Sequence, residues 1–532
     1  MKISRLIAIS TLALLSAGAL QAKTLVFCSE GSPEGFDPAP FTAGTTFDAS
    51  SRTIYNRLVE FEKGATNVLP GLAESWEVSA DGMEYTFKLR AGVKFHTSDT
   101  FTPTRDMNAD DVIFSFNRQG KADNSYNQYI AGITWEYYSG MEMATVIKDI
   151  VKVDDMTVKF MLSRAEAPFL ANLAMDFASI VSKEYADALE AANTKELLNS
   201  APIGTGPFQF VAYEKDAVIR FKANADYWDG KPAIDDLVFA ITVDPAVRMQ
   251  KLQANECQMA PYPAPADLAA LKADPNLVVT EQAGLNVAYL AYNTTVAPFD
   301  NAEVRRALNM AINKQAIIDA VYQGSGQMAK NPIPPTMWSY NEATVDDVYD
   351  PVAAKAMLDA AGVKDLSMKV WAMPVQRPYM PNARRAAELI QEDFAKVGVT
   401  VEIVTYEWGE YLKKSSEKNR DGAVILGWTG DNGDPDNFLA VLLGCASATE
   451  GGSNRAQWCD ADFDALIQKA KVTADEAERT KLYQEAQLIF KAKAPWATLG
   501  HSTVSTPMSK KVTGFVMSPL GSHQFEKTDI AE

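Results

Sequence analysis

Short β-rich runs alternate with amphipathic helical runs along the chain. The predicted strands are rich in β-branched and aromatic residues, and they span residues 24–28, 85–89, 157–162, 218–222, 237–241, 287–292, 399–405 and 423–428. This alternation predicts an α/β fold and argues against a helical bundle or a β-sandwich.

Helix boundaries are clearest in the second half of the chain. Asp350 followed by Pro351 is typical of an N-cap and first turn, and Gly362 is expected to end that helix. Pro381 and Gly398 bracket another segment, in which apolar residues recur at helical spacing. Both helices therefore have a predicted start and a predicted end.

A third helix is predicted to begin at Asp300, with Glu303 as its capping-box partner three residues later. The segment before it, residues 282–286 (QAGLN), is short and turn-forming. We place the boundary between two structural units there.

The N-terminal 22 residues have the three zones of a secretory signal peptide. Lys2 and Arg5 are positive, residues 6–15 are apolar, and residues 16–19 are small. The apolar run has about 10 residues, fewer than the roughly 20 that span a bilayer. We expect the segment to be an export signal that is removed.

Two cleavage points fit this segment, after Ala19 or after Ala22. Ala22 is favoured because a predicted strand follows it directly. A lipoprotein would need a cysteine after a small residue, but Cys28 follows Phe27. No later run has 18 uninterrupted apolar residues, so we expect no membrane insertion of the mature chain.

Length and charge bear on the number of structural units and on the expected partners. A single core stops growing at roughly 250–300 residues, so a chain of 532 residues predicts several structural units. Its net charge is −18 at pH 7, and loss of Lys2 and Arg5 with the signal would make it two units more negative. Such a chain repels nucleic acid and anionic lipid, so neither is expected as a partner.

The four cysteines are an even number in a chain predicted to be exported, where disulfides are permitted. Cys445 and Cys459 would close a short loop rich in Gly and Ser, which leaves Cys28 with Cys257. Metal ligation is the alternative, but the chain has no Cys-x-x-Cys motif and no His close to these cysteines.

Motifs of catalysis are few. None of His96, His501 and His523 has a His or Glu at the spacing of a helical metal site. A Ser-x-x-Lys motif at Ser415 and Lys418 lies in a polar stretch without the companion motifs of that hydrolase class. We expect neither an enzyme nor a metal or other cofactor, with an exported peptidase as the alternative.

Several long motifs resemble the peptide-binding family of solute-binding proteins, which serve ATP-driven importers. They are residues 69–76 (LPGLAESW), 81–96 (DGMEYTFKLRAGVKFH), 108–112 (NADDV), 203–208 (IGTGPF), 227–232 (YWDGKP) and 304–308 (VRRAL). Three more stretches resemble the dipeptide-binding branch of this family: 28–36 (CSEGSPEGF), 371–379 (WAMPVQRPY) and 427–437 (GWTGDNGDPDN).

This resemblance implies a two-lobed α/β periplasmic binding protein with a hinge. Lobe I would comprise residues 23–283 and 501–532, with an extra subdomain inserted at roughly 57–200, and lobe II residues 284–500. The resemblance also implies the disulfides Cys28–Cys257 and Cys445–Cys459. The protein would act in the Gram-negative periplasm as a monomer that delivers ligand to membrane permease subunits.

The resemblance further implies the ligand-binding residues. Arg377 would bind the carboxylate of a dipeptide and Asp431 its ammonium group, because the planar guanidinium of arginine matches a carboxylate with two hydrogen bonds. The residues implied to line the peptide are Thr42, Ala43, Gly44, Pro378, Tyr379, Trp428, Thr429 and Gly430.

Binding both ends would select ligands by length, since each added residue lengthens an extended peptide by roughly 3.3–3.6 Å. Trp371, Tyr406 and Trp408 are candidates for the walls of side-chain pockets, although such aromatics are as often core residues. Asp434 and Asp436 lack the spacing of a calcium loop and indicate a turn. The alternatives within the family are receptors for longer peptides, haem or nickel.

Overall fold

The strands form where β-branched and aromatic residues recur at alternate positions or in unbroken apolar runs. The computed structural model describes residues 22–531, so the predicted signal segment lies outside the described residues except for Ala22. The strands are β1 Thr24–Phe27, β2 Val59–Phe61, β3 Val68–Pro70, β4 Ala73–Val78, β5 Glu84–Leu89, β6 Ile147–Asp154, β7 Thr157–Leu162, β8 Phe208–Glu214, β9 Val218–Ala223, β10 Asp236–Ala240, β11 Leu277–Ala283, β12 Asn286–Tyr292, β13 Gly326–Met328, β14 Ser367–Trp371, β15 Thr400–Val404, β16 Ala423–Thr429, β17 Trp496–Ser509, β18 Val512–Thr513 and β19 Asp529–Ile530.

Helices separate most of these strands, and the longest are in the second half. The α-helices are α1 Gly44–Ala49, α2 Ala109–Gly120, α3 Glu136–Gly140, α4 Met143–Val146, α5 Phe169–Leu173, α6 Lys183–Ala191, α7 Leu197–Ser200, α8 Pro245–Gln253, α9 Leu268–Ala273, α10 Ala302–Ala311, α11 Lys314–Ile317, α12 Pro351–Ala360, α13 Ala383–Lys396, α14 Trp408–Ser415, α15 Asp436–Leu443, α16 Ala461–Val472 and α17 Glu476–Lys493. Between residues 22 and 531, no helix has the length and hydropathy of a membrane span.

Two four-stranded sheets belong to the first half of the chain. One has the order β1-β10-β9-β8, in which β1 is parallel to β10 and places Thr24 opposite Asp236. The other has the order β4-β5-β7-β6 and is antiparallel throughout. Its core includes Phe87 and Phe160, whose rings meet edge to face with centroids 5.7 Å apart.

A larger sheet organises the second half, in the order β11-β17-β12-β16-β14-β15, with β13 also pairing with β17. All seven residues of β12 are buried. It is a central strand, and its two edges pair with β16 and β17. Burial of side chains on both faces is typical of a strand whose sheet is covered on both sides.

Strand β17 connects the two halves. Its first part pairs with β12, placing Ala497 opposite Leu290, and its second part pairs with β11, placing Thr506 opposite Thr280. The chain passes from β11 to β12 through Gly284 and Leu285 alone. Two neighbouring connections thus join the halves, as a hinge requires. The predicted turn at residues 282–286 is therefore too long, because its outer residues extend the two strands.

The eight predicted strands are confirmed, with ends that differ by at most one residue. The helix at Pro351 is confirmed as well: the side chain of Asp350 accepts hydrogen bonds from the backbone of Val352 and Ala353. Gly362 and Gly398 follow their helices at φ of +75° and +81°, a conformation that favours glycine.

The predicted start of α10 at Asp300 is wrong by one residue. Asn301 is the N-cap, and its side chain accepts a hydrogen bond from the backbone N–H of Glu303. The amide oxygen of Asn301 already satisfies this free N–H group, so the helix begins without the predicted contribution from Asp300.

Both pairs of cysteines lie at disulfide distance. Cys28 at the end of β1 is joined to Cys257 beyond α8, with Cα atoms 5.8 Å apart. Cys445 and Cys459 close the loop between α15 and α16, with Cα atoms 4.6 Å apart. The second bond holds a loop that also contributes to the site described next.

Candidate functional site

A cleft of about 890 Å³, including solvent at its mouth, lies between the two halves of the molecule. It is lined by residues from the start of α1, the segment after β14, the end of β16 and the disulfide loop. The lining residues are Thr42, Ala43, Gly44, Phe47, Arg52, Tyr137, Tyr262, Tyr289, Arg377, Pro378, Tyr379, Trp408, Leu412, Leu426, Gly427, Trp428, Thr429, Asp431, Leu442, Ser453, Arg455, Leu520 and Gly521.

Arg377 lies in the segment between β14 and α13, where its backbone exchanges two hydrogen bonds with Met380, of 3.2 and 3.0 Å. Its side chain is 13% exposed, and the guanidinium carbon lies 5.8 Å from the centre of the Trp408 ring. Its nearest acidic contact is Glu30, with Nη1 and Oε1 3.9 Å apart. The guanidinium group of Arg377 therefore has N–H donors available for the carboxylate of a bound ligand.

The surroundings of Arg377 favour its charged form. Burial lowers the pKa of the guanidinium, but Tyr379 and Glu30 raise it further, so the net direction is upward. Arginine is charged at any physiological pH. A fixed positive charge therefore faces this end of the cleft.

Asp431 follows β16 at the other end, and its backbone N–H donates to the side-chain oxygen of Asn437 over 2.9 Å. Burial raises the pKa of the Asp431 carboxyl to about 7, and the charge of Asp176 adds to this rise. The nearby Tyr137 hydroxyl and the charge of Arg52 lower the pKa but do not outweigh burial. An ammonium group placed here would restore the carboxylate.

Two polar atoms at this end are buried without a hydrogen-bond partner in the described part of the chain. They are Oδ2 of Asp431 and Oγ1 of Thr429. Buried polar atoms without partners are rare and call for an explanation. An ammonium group has three donors and suits such acceptors.

The segment of small residues forms a third side of the cleft. Ala43 is extended, with φ −82° and ψ 131°, immediately before α1. The Thr42 hydroxyl donates to Oε2 of Glu136 over 3.2 Å. A Cβ on Gly44 would lie 3.9 Å from Nη2 of Arg377. The backbone here is open to pairing with an extended peptide.

Nine of the ten predicted ligand-binding residues line this cleft; Gly430 does not. Gly430 packs behind the wall, where a Cβ would lie 2.7 Å from Phe438 and 2.8 Å from Leu285. Its backbone N–H donates to the carbonyl of Leu285 over 2.7 Å. Its small size serves close packing between β16 and the hinge segment, and its part in ligand binding stays a prediction.

The aromatic candidates divide between the cleft and the core. Trp428 lines the cleft, and its indole N–H donates to Oδ1 of Asn437 over 3.0 Å. Trp408 also lines it. Trp371 is 4% exposed and belongs to the core, and the half-buried Tyr406 packs against it with ring centroids 4.9 Å apart.

The predicted turn after Asp431 is present. The backbone N–H of Asp434 donates to Oδ1 of Asn432, and that of Asp436 donates to Oδ1 of Asp434. Asp434 also accepts two hydrogen bonds of 2.8 Å from Arg479. No cluster that could hold a metal ion occurs among residues 22–531.

Comparison with known proteins identifies the family. The model of bacterial extracellular solute-binding proteins, family 5, matches residues 67–450. The chain belongs to this family. It is 57% identical to the dipeptide-binding protein of Escherichia coli strain K12, over 98% of this chain and 97% of that protein. It is 52% identical to di/tripeptide-binding protein 1 of Pseudomonas aeruginosa, over 96% and 95% of the two chains.

The fold of this solute-binding protein is similar to that of a dipeptide-binding protein from Pseudoalteromonas sp. SM9913, solved in complex with Met-Leu. The TM-score is 0.92 at 40% identity, over 96% of this chain and all of that one. The predicted two-lobed α/β fold is confirmed.

Sequence reasoning missed several charged residues of this solute-binding protein. Arg455 lines the cleft, and its Nη2 lies 3.9 Å from Oε1 of Glu136. Glu34 lies near them; burial raises its pKa to about 7, and the charge of Glu136 contributes to this rise. Arg455 lies in the loop closed by Cys445 and Cys459, the one sequence signal that pointed to this region.

Proposed function

We propose that this solute-binding protein is a periplasmic receptor that captures dipeptides between its lobes and delivers them to an ABC importer. Lobe I would comprise residues 23–283 and 501–532, with the inserted subdomain at roughly 57–200, and lobe II residues 284–500. The two neighbouring connections between β11, β12 and β17 support this division. The relatives named for dipeptide binding support the ligand class.

The observation that carries the proposal is the opposite chemistry at the two ends of one cleft. Arg377 offers a guanidinium without a bidentate partner, and Asp431 offers a buried carboxyl with an unpartnered oxygen. A dipeptide zwitterion carries the complementary carboxylate and ammonium. Side chains would then vary without loss of these two contacts, as a general dipeptide receptor requires.

Calorimetry with a short series of peptides tests this proposal. We expect Ala-Ala to bind tightly, and Ala-Ala-Ala, free alanine and N-acetyl-Ala-Ala to bind weakly. A ligand that leaves one buried charge unpaired should lose about 2–5 kcal/mol. Equal affinity for the acetylated and free dipeptides would contradict the assignment of Asp431, and equal affinity for Ala-Ala-Ala would contradict selection by length.

The same series addresses the other functions. A receptor for longer peptides would favour Ala-Ala-Ala or a tetrapeptide, and a receptor for haem or nickel would bind those ligands while ignoring Ala-Ala. An exported peptidase would release free alanine from Ala-Ala during incubation, whereas a receptor returns it unchanged. Amino-acid analysis of the mixture separates the two.

The proposed cellular setting has its own test. We propose export by a signal peptide cleaved after Ala22, monomeric diffusion in the periplasm and docking on membrane permease subunits. N-terminal sequencing of protein from a periplasmic extract should begin at Lys23. Retention of residues 1–22, or protein found only in the membrane fraction, would contradict the export proposal.

A further inference from the structure

A buried lysine near the end of α16 lies between carboxylates from both proposed lobes. The side chain of Lys471 is 1% exposed. Its ammonium nitrogen is 3.5 Å from Oε2 of Glu142 in lobe I and 3.8 Å from Oδ2 of Asp436 in lobe II. The interface is outside the ligand cleft, since none of these three residues lines it.

Other contacts join the same surfaces. The backbone N–H of Ala167 in lobe I donates to the carbonyl of Lys471 over 2.6 Å. Gln468, one helical turn earlier, donates to Oε2 of Glu142 over 3.2 Å. Arg164 contacts Glu142 at 3.4 Å and Glu166 at 3.2 Å within lobe I. Lys471 is therefore held at a contact that exists only while the lobes are together.

The acidic groups of this interface need the lysine. Oε1 of Glu166 and Oδ1 of Asp436 are buried without a hydrogen-bond partner among the described residues. Burial raises the pKa of Glu166 to about 7 and that of Asp436 to about 6, and the charge of Lys471 opposes both shifts. Without Lys471, closure would bury these carboxyls with too little positive charge.

The interface is continuous with the ligand end of the cleft. Asp436 begins α15, five residues after Asp431, so one loop carries both groups. In this loop, the side chain of Asn432 donates to Oδ1 of Asn172 in lobe I over 3.0 Å. Movement of the loop between open and closed states would thus affect the ammonium site and Lys471 together.

We infer that Lys471 is a positioning residue for ligand capture, whose ammonium group holds the closed lobes together through Glu142 and Asp436 without touching the ligand. The inference rests on the proposed receptor function and on hinge closure. In the open protein Glu142 regains water, so the contact acts in the closed state. Its loss should speed ligand release and leave ligand entry unchanged.

Lys314 provides a matched control. It is another buried lysine, 7% exposed, but its partners all lie in lobe II: Asp346 at 2.8 Å, Thr498 at 3.1 Å and the carbonyl of Ala329 at 3.1 Å. Lys314→Met should lower the melting temperature and leave the release rate unchanged. A general effect of removing a buried lysine would appear in both variants.

Stopped-flow fluorescence, with Trp428 and Trp408 as reporters in the cleft, measures Ala-Ala entry and release. We expect Lys471→Met to raise the release rate at least tenfold, with an entry rate within twofold of wild type. Lys471→Arg should restore release to within threefold. Glu142→Gln, which leaves lobe II intact, should raise release about threefold alone and have little effect in the Lys471→Met background.

The outcomes separate the inference from the receptor proposal. A wild-type protein that binds no dipeptide overturns the receptor function, and the role of Lys471 falls with it. Tight wild-type binding with unchanged release in Lys471→Met overturns the inference alone, as does an equal rise in Lys314→Met. If Lys471→Met does not fold, unchanged release in Glu142→Gln overturns the inference.

Discussion

Arg377 and Asp431 differ in how their charge is secured. The guanidinium keeps its charge because its pKa, already high, is raised further by Tyr379 and Glu30 against the effect of burial. The carboxyl of Asp431 has a pKa of about 7, since burial opposes its ionised form. The two ends of the cleft should therefore respond differently to substitution and to pH.

At Arg377, the geometry of the donor matters as well as the charge. Arg377→Lys retains a positive charge but loses the planar fork, so we expect about tenfold weaker binding of Ala-Ala; Arg377→Ala should cost more. Arg384→Ala is the control, because that side chain is 60% exposed on α13 and pairs with Glu388. Calorimetry measures all three. Wild-type affinity in Arg377→Ala would show that the carboxylate binds elsewhere.

At Asp431, binding should depend on pH. Only the ionised carboxyl attracts an ammonium group, so Ala-Ala affinity should rise with pH up to about 7 and level off above it, with a limiting slope of about tenfold per pH unit below. Asp431→Asn should bind weakly and lose this component of the slope. Glu34 also has a pKa near 7, so the difference between the two proteins is the informative quantity. Identical slopes would contradict the assignment.

The stability of the ligand-free protein should fall as pH rises, whereas its affinity for Ala-Ala should increase. A carboxyl whose folded pKa is about 7 and whose ordinary value is 3.8 retains its proton longer when folded. Its contribution to stability is therefore lost as pH rises from about 4 to 7. Asp431→Asn should melt at a higher temperature than wild type at pH 8. A lower melting temperature for Asp431→Asn than for wild type would show that the ionised Asp431 carboxylate does not destabilise the folded protein.

Residue roles could be predicted from sequence only where long motifs carried them. The motif around Trp371 drew attention to Arg377, Pro378 and Tyr379, and all three line the cleft. Composition alone could not separate Trp408, which lines the cleft, from Trp371, which packs in the core. The difference arises from which face of β14 and α14 meets the other half of the molecule.

At the scale of elements, β16 and the segment after β14 must approach closely to form the cleft. Gly427 of β16 makes this approach possible, because a Cβ there would lie 2.3 Å from the ring of Tyr379 and 2.4 Å from the carbonyl of Val287. The carbonyl of Tyr379 in turn accepts a hydrogen bond of 2.7 Å from the Tyr322 hydroxyl. The ring of Tyr379 thus packs against Gly427, and its backbone is fixed by Tyr322.

Gly427→Ala should push the Tyr379 ring into the cleft. We expect a loss of about 1–3 kcal/mol in the free energy of unfolding, typical of overpacking, and weaker binding of Ala-Ala. Gly409→Ala in α14 is the control, since its Cβ would meet only the end of the Glu407 side chain, at 3.3 Å. Denaturant unfolding and calorimetry measure the two effects. Unchanged binding in Gly427→Ala would show that Tyr379 has room to retreat.

Elements were more predictable than the site they build. The eight predicted strands came within one residue because burial imposes a short-range pattern of apolar side chains. The contacting pair Glu136 and Arg455 has no such pattern, since α3 and the disulfide loop meet only through tertiary packing. Tyr289 also lines the cleft, but every residue of β12 is buried, so the apolar pattern of the strand could not single it out. Long-range pairing, absent from local sequence, decides these positions.

At the scale of the whole molecule, the two-lobed arrangement came from family resemblance. Periodicity did not predict β17, and it could not show that one strand of 14 residues pairs first with β12 and then with β11. That shared strand and the two residues between β11 and β12 make the hinge narrow. Contacts between the lobes outside the hinge, such as those of Lys471, then influence closure.

The net charge of the chain, −18 at pH 7, gives a prediction about ligand entry. A zwitterion such as Ala-Ala has no net charge, so its entry rate should change little with salt. Lys-Lys should enter faster than Glu-Glu at low ionic strength, because the negative field attracts the first and repels the second.

Stopped-flow measurements from 10 to 500 mM salt test this steering. The field extends about 30 Å at 0.01 M salt but only about 10 Å at 0.1 M, so the difference between the two charged dipeptides should shrink as salt is added. Release rates depend on contacts inside the closed cleft and should stay nearly constant. Entry rates that are equal at low salt would mean that local positive charges, including Arg377, Arg52 and Arg455 in the cleft lining, cancel the field at its mouth.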